Sequence, residues 1–198
     1  MNLREKQKAI EKIQREILNL KKSTLYRYRI ENGYQPVVGE GSLNARIMFV
    51  GEAPGRREAE SGRPFAGAAG KVLDGLLASI QLSRKSVYIT NLVNDRPPAN
   101  RDPLPVEVKL YASFLDRQID IIKPRVIATL GRHSMRYILE KFGMKVMPIG
   151  KIHGKVFEVK TSHRWIKIIP LYHPASVLYG NGLRRVLRKD FQILKYLK

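Results

Sequence analysis

The chain has 198 residues, the size of one ordinary domain with a substantial hydrophobic core. Its 37 Lys+Arg against 17 Asp+Glu give a formal net charge of +20, which favours a polyanionic partner, nucleic acid first. There is no cysteine, so disulfides, thiolate metal centres and iron–sulfur clusters held by the chain's own residues are excluded.

In chain order, Leu3, Ile10, Ile13, Ile17 and Leu20 fall at helical spacing among lysines and glutamates. They predict an amphipathic helix within residues 1–22, packed on the remainder of a single domain spanning 1–198. Residues 33–45 are Gly-rich and irregular. Ile47-Met48-Phe49-Val50 reads as a buried strand, followed by Gly51-Glu52-Ala53-Pro54-Gly55 and a helix over roughly 70–81 with Val72, Leu73, Leu76, Leu77 and Ile80 inward. Val87-Tyr88-Ile89 is a second strand. Four prolines between Asn94 and Pro105 force a stiff loop. A helix over roughly 105–122, a strand at Val126 to Leu130 and a short helix from Ser134 to Phe142 follow. Two further strands near 155–159 and 165–171 lead to His173-Pro174-Ala175-Ser176. A basic helix closes the chain, with Leu183, Val186, Leu187, Leu194 and Leu197 inward and Arg184, Arg185, Arg188 and Lys189 outward.

Strands alternating with helices predict a three-layer α/β/α sandwich around a mostly parallel sheet of four to five strands. In such sheets ligands bind beyond the carboxyl ends of the strands. The Glu52 loop and the His173 loop both occupy that place, so one site assembled from two distant segments is expected. The tail supports a polyanion there: residues 141–198 hold thirteen Lys/Arg against two acids, Glu158 and Asp190. His133, His153 and His163 show no ligand spacing with one another and read as structural or as phosphate contacts. No apolar run reaches the length of a membrane span, and the first residues lack a signal-peptide core. A monomeric, cytoplasmic protein without a membrane span is expected.

Three segments, in order and each at a predicted strand end, resemble the uracil-DNA glycosylase superfamily, most closely its family 4. They are Gly51-Glu52-Ala53-Pro54-Gly55 with Gly62-Arg63-Pro64-Phe65, then Thr90-Asn91-Leu92-Val93 with Arg96-Pro97-Pro98, and His173-Pro174-Ala175 with Val177-Leu178. The resemblance runs from about Leu20 to Tyr179. It implies excision of uracil from DNA by hydrolysis of the N-glycosidic bond, with the base flipped out of the helix. Glu52 would orient water or stabilise the oxocarbenium-like sugar, and His173, as a neutral imidazole, would donate to the base's O2. Phe65 would stack on the extruded ring, Asn91 would read its Watson–Crick edge, and Pro54-Gly55 would exclude a thymine methyl. Gly51 and Ala53 complete the base-binding loop. Val177 and Leu178 would form a wedge into the duplex beside Pro174, Ala175 and Ser176. Lys71, at a helix start, and Arg184, Arg185 and Arg188 would contact phosphates.

One departure is plain. Family 4 resembles this chain but holds a structural four-iron four-sulfur cluster on four cysteines, and the corresponding positions here are Leu20, Ser23, Asp95 and Tyr111. No cluster is expected. Packing of Leu20 with Tyr111, and pairing of Asp95 with a nearby cation, would join the N-terminal segment to the proline loop instead. Other functions remain open: release of hypoxanthine or xanthine, a bifunctional glycosylase/lyase, or a non-catalytic protein that binds damaged DNA.

Overall fold

The computed structural model describes residues 1–161, 164–178 and 181–197; His163 therefore lies outside the described residues. In chain order the regular elements are α1 (Leu3–Leu18), α2 (Thr24–Glu31), β1 (Glu40–Gly41), β2 (Ile47–Gly51), α3 (Arg56–Ser61), α4 (Ala68–Ser79), β3 (Tyr88–Asn91), α5 (Pro105–Ile122), β4 (Val126–Leu130), α6 (Arg132–Lys141), α7 (Ile149–Ile152), β5 (Phe157–Lys160), β6 (Trp165–Leu171) and α8 (Asn181–Lys195). Short 3-10 turns lie at Arg84–Ser86, Pro98–Asn100 and Pro174–Leu178.

The strands form a six-stranded sheet in the order β1-β3-β2-β4-β6-β5. The four inner strands run parallel, and β1 and β5 are antiparallel edges. Alternation along each strand divides the core in two. Met48, Val50, Ile127 and Ile168 join α1, α2, α5 and α6 on one face. Ile47, Phe49, Ala128 and Leu171 join α4 and α8 on the other, where the rings of Phe49 and Phe191 stack at 5.8 Å. Full burial on both faces is why these strands read as unbroken apolar runs. Pro170 is tolerated inside the sheet because the pleat turns its nitrogen away from β4: Lys167 N–H donates to Arg125 O at 2.9 Å, and three residues later the alternation is reversed. On that far side β5 ends at the pair Phe157↔Ile168, so Pro170 has no ladder partner to deprive.

Helix α1 starts with a reciprocal cap in which Asn2 Oδ1 accepts from Glu5 N–H and Asn2 N–H donates to Glu5 Oε2, at 3.0 and 2.8 Å. The first edge strand and helices α2, α3 and α7 were not expected from the sequence. Each is short, two to eight residues, and too brief for periodicity to register. Helix α4 begins at Ala68 rather than near residue 70, so Lys71 stands inside its first turn. The Lys71 N–H is already used on Gly67 O at 3.2 Å, and the unpaired N–H groups of this helix start belong to residues 68–70.

Candidate active site

The C-terminal ends of β2, β3 and β6 open into a cleft of about 450 Å³, within the range of small-ligand sites. Glu52, Ala53, Pro54, Gly55, Phe65, Asn91, His173 and Ala175 all line it, so two loops more than 100 residues apart in sequence do meet. The ladder between β2 and β3 continues past the strands: Leu92 N–H donates to Gly51 O at 3.0 Å and Val93 N–H to Glu52 O at 2.9 Å. That pairing holds the Glu52 backbone beside the Asn91 backbone.

Gly51 and Gly131 let the side chains converge. A Cβ on Gly51 would lie 2.3 Å from Asn91 Oδ1 and 2.9 Å from the Phe65 ring. Gly131, at φ +102°, follows β4 and leaves His173 Cβ only 3.3 Å from where its own Cβ would stand. Phe65 itself has a left-handed backbone at φ +51°, and its ring stacks on the His173 imidazole with centroids 5.6 Å apart. A non-glycine residue held in that region marks a position fixed by its surroundings.

The polar groups of the cleft are poised rather than satisfied. Asn91 is 2% exposed, yet among the described residues its side-chain amide has no hydrogen-bond partner. His173 Nδ1 accepts from Ala175 N–H at 3.1 Å, which leaves the other ring nitrogen to carry the proton. Burial drives the imidazole pKa down to about 4, so the ring is neutral near pH 7; the Glu58 carboxylate opposes this only weakly. The Glu52 carboxyl is pushed above its ordinary range, chiefly by burial. Asp102 adds to that rise, while His133 and Arg132 oppose it.

Several of these neighbours escaped the sequence reading. Glu58, in the single turn and a half of α3, lines the cleft, and its Oε1 accepts from Gly67 N–H at 2.8 Å. Gly55 is its counterpart, since a Cβ there would stand 2.7 Å from Glu58 Oε2. Asn100 and Arg101 arrive from the proline loop. Asp102 and His133 approach Glu52 from outside, with His133 Nε2 at 3.9 Å from Glu52 and 3.4 Å from Asp102. Arg132 donates to Asp102 and, at 3.1 Å, to His133 Nε2. The one available signal for His133 was its place two residues after Gly131 at the end of β4, the same strand-end logic that singled out Glu52. His153 is a separate structural pair with Asp190 at 2.7 Å.

The expected wedge is corrected in part. Val177 is 4% exposed and belongs to the core beneath α4 and α8, so it cannot enter a duplex without abandoning about 1.5–3 kcal/mol of burial. Leu178 is 46% exposed and free to do so. Pro174 is buried, and Ser176 Oγ donates to His173 O at 2.7 Å, which braces the histidine loop. Lys71, Arg184, Arg185 and Arg188 are exposed but do not line the cleft.

The Uracil DNA glycosylase superfamily model matches residues 38–195, most of the chain. The chain belongs to the uracil-DNA glycosylase superfamily. It is 46% identical over 190 residues to the type-4 uracil-DNA glycosylase of Sulfurisphaera tokodaii, covering 96% of this chain and 84% of that protein. The type-4 uracil-DNA glycosylases of Archaeoglobus fulgidus and Saccharolobus solfataricus are each 45% identical, with 93% and 91% of this chain and 90% and 82% of theirs aligned.

Within this superfamily the cysteine-free character of the chain has a structural counterpart. Ser23, Asp95 and Tyr111 converge: Ser23 Oγ and Tyr111 Oη lie 2.9 Å apart, and Tyr111 Oη donates to Asp95 Oδ2 at 2.5 Å. Asp95 also takes both carboxylate oxygens to Arg29 Nη1, at 3.0 and 3.1 Å, and Leu20 lies in the same hydrophobic cluster as Tyr111. The cation that Asp95 was expected to find is Arg29. These four positions present a hydroxyl, a phenol, a carboxylate and an aliphatic chain, a donor set that cannot hold an iron–sulfur cluster.

Proposed function

We propose that the protein excises uracil from DNA, and that residues 1–198 act as one monomeric unit, cytoplasmic and DNA-associated. The observation that carries the reading is His173: a buried imidazole, neutral near pH 7, with Nδ1 engaged by Ala175 and a single N–H left to donate. A neutral donor is what a departing uracil anion needs at O2, because it stabilises charge as it forms without first taking up a proton.

The remaining roles belong to the same proposal. A flipped base enters the cleft, at an unstacking cost of a few kcal/mol, and lies against Phe65. The unpartnered Asn91 amide accepts from uracil N3–H and donates to O4; cytosine presents the opposite pattern and leaves buried groups unpaired. As the C1′–N1 bond breaks, its electron pair leaves with N1 and the negative charge spreads to O2, facing His173. Glu52, as carboxylate, stabilises the cationic sugar and orients the water whose oxygen bonds to C1′. The water's proton passes to Glu52 or solvent. Leu178 fills the gap in the duplex.

Free-base release from duplex DNA with a single uracil, comparing wild type with Glu52→Ala, tests this reading. Uracil release by the wild type that falls at least a hundredfold in the variant, at unchanged thermal stability, is expected. A wild type that binds the duplex tightly and releases nothing would overturn it.

A further inference from the structure

The opposite end of the parallel strands carries a second concavity. Because β2, β4 and β6 are parallel, the residues preceding them all stand at the N-terminal end of the strands: Arg46 before Ile47, Arg125 before Val126 and Arg164 before Trp165. The backbone locks them side by side. Arg125 and Val126 N–H both donate to Arg46 O, at 2.8 and 2.9 Å, and Lys167 N–H donates to Arg125 O at 2.9 Å. Together with Lys123 these cations line a depression of about 570 Å³ with no acidic residue among the described residues of its wall. Its other conspicuous members are Trp165, 60% exposed, and Tyr196, 83% exposed.

Three features separate this patch from a merely solvated basic face. Among the described residues Lys167 pairs with Glu158 at 3.3 Å and Arg164 feels the Asp120 carboxylate without an ion pair inside 4 Å, while Arg46, Lys123 and Arg125 have no carboxylate at ion-pair distance. Two of these cations also reach a third beyond the depression: the buried Lys6 ammonium is held below its ordinary range by desolvation and then by Lys123 and Arg164. Finally, Lys123 closes α5 with a left-handed backbone at φ +56°, the position where helices ordinarily place glycine. A lysine there accepts both backbone strain and like-charge repulsion, and an anion bound in the depression would relieve the second.

We propose that this depression binds single-stranded nucleic acid, with phosphates on Arg46, Lys123, Arg125 and Arg164 and bases stacked on Trp165 and Tyr196. Exposed aromatics among cations fit a single strand better than a duplex, whose bases are already stacked on each other. The seven residues of β6 separate it from the His173 loop, about 20 Å at 3.3 Å per residue. The two sites therefore face opposite directions, and the strand held here is a second segment, not the one under inspection in the cleft. A protein with this arrangement can stay tethered to one strand while its cleft examines another.

The test measures binding of a fluorescent oligothymidylate without uracil, at several salt concentrations, alongside single-turnover uracil release from a short duplex. Trp165→Ala is expected to weaken oligonucleotide binding about tenfold, and Arg46→Glu with Arg125→Glu to flatten the logarithmic salt slope by about 1.4. Lys123→Gly is expected to flatten it by about 0.7 while raising the melting temperature, so loss of binding cannot be ascribed to loss of fold. Uracil release stays at the wild-type rate in all of them. Unchanged oligonucleotide affinity in the variants would assign binding to the cleft and overturn the proposal. So would a parallel loss of uracil release, which would place these residues under the substrate duplex. Equal, Trp165-independent binding of polyglutamate would mark an acidic-peptide site instead and also overturn it.

Discussion

At the scale of single residues, the cleft separates two protonation states by burial. His173 is driven down to about 4 and Glu52 is driven above the ordinary carboxylate value of 4.5. If Glu52 acts as the anion, uracil release falls as pH drops through its raised pKa, and His173, driven down to about 4, takes up its proton at lower pH than Glu52. The acid midpoint of single-turnover release is expected above pH 4.5. Asp102→Asn removes a repelling charge and frees Arg132 and His133 to act on Glu52, so the midpoint moves to lower pH. A midpoint that stays in place or rises in this variant would disprove the coupling. Glu52 and His173 were legible because each follows a buried strand, whereas Asn91, the last residue of β3, was singled out only by the family resemblance. Asp102 and His133 were not, since their relation to Glu52 exists only across two loops and the first turn of α6.

At the scale of elements, the turn of Pro174–Leu178 does two jobs with adjacent apolar residues. Sequence could pair Val177 with Leu178 as a wedge because both are aliphatic; packing against α4 and α8 divides them. Val177→Ala is expected to destabilise the fold by about 1–2 kcal/mol in denaturant unfolding. Leu178→Ala leaves stability within about 0.5 kcal/mol. It slows uracil release from duplex DNA several-fold while sparing release from a single strand, where no gap needs filling. Equal slowing on both substrates would remove the wedge role from Leu178.

At the scale of the whole molecule, a buried ion pair and its phenol fasten the N-terminal helices to the proline loop, beside a hydrogen bond from Arg96 to Tyr28 Oη. Arg29 binds Asp95 and also donates to Ile17 O and Leu18 O at the end of α1, at 3.1 and 2.6 Å. One guanidinium thus joins α1, α2 and the loop that delivers Asn100 and Arg101 to the cleft. Burial outweighs the guanidinium and lifts the Asp95 carboxyl above its usual range, so neither charge is comfortable alone. Asp95→Ala is expected to lose about 3–5 kcal/mol, a fall in melting temperature on the order of 10 °C. Arg29→Met with Asp95→Leu is expected to lose less than Asp95→Ala does. A double variant as unstable as the single one would show that the staple works by hydrogen bonding to α1 rather than by mutual neutralisation.

The sequence by itself determined the alternation of strands and helices, the strand-end positions of Glu52, Asn91 and His173, the absence of thiolate ligands and the excess of positive charge. These are local properties: apolar runs, glycines, prolines and composition are complete within short windows. Only the tertiary structure decided which residues share a surface. It brought Ser23, Asp95, Tyr111 and Arg29 into one buried network, sank Val177 and exposed Leu178, and gathered Arg46, Lys123, Arg125 and Arg164 at the far end of the parallel strands. The physical reason is that parallel strands bring chain segments dozens of residues apart to within about 5 Å, and a side chain's burial and protonation state depend on those neighbours rather than on the residues beside it in the chain.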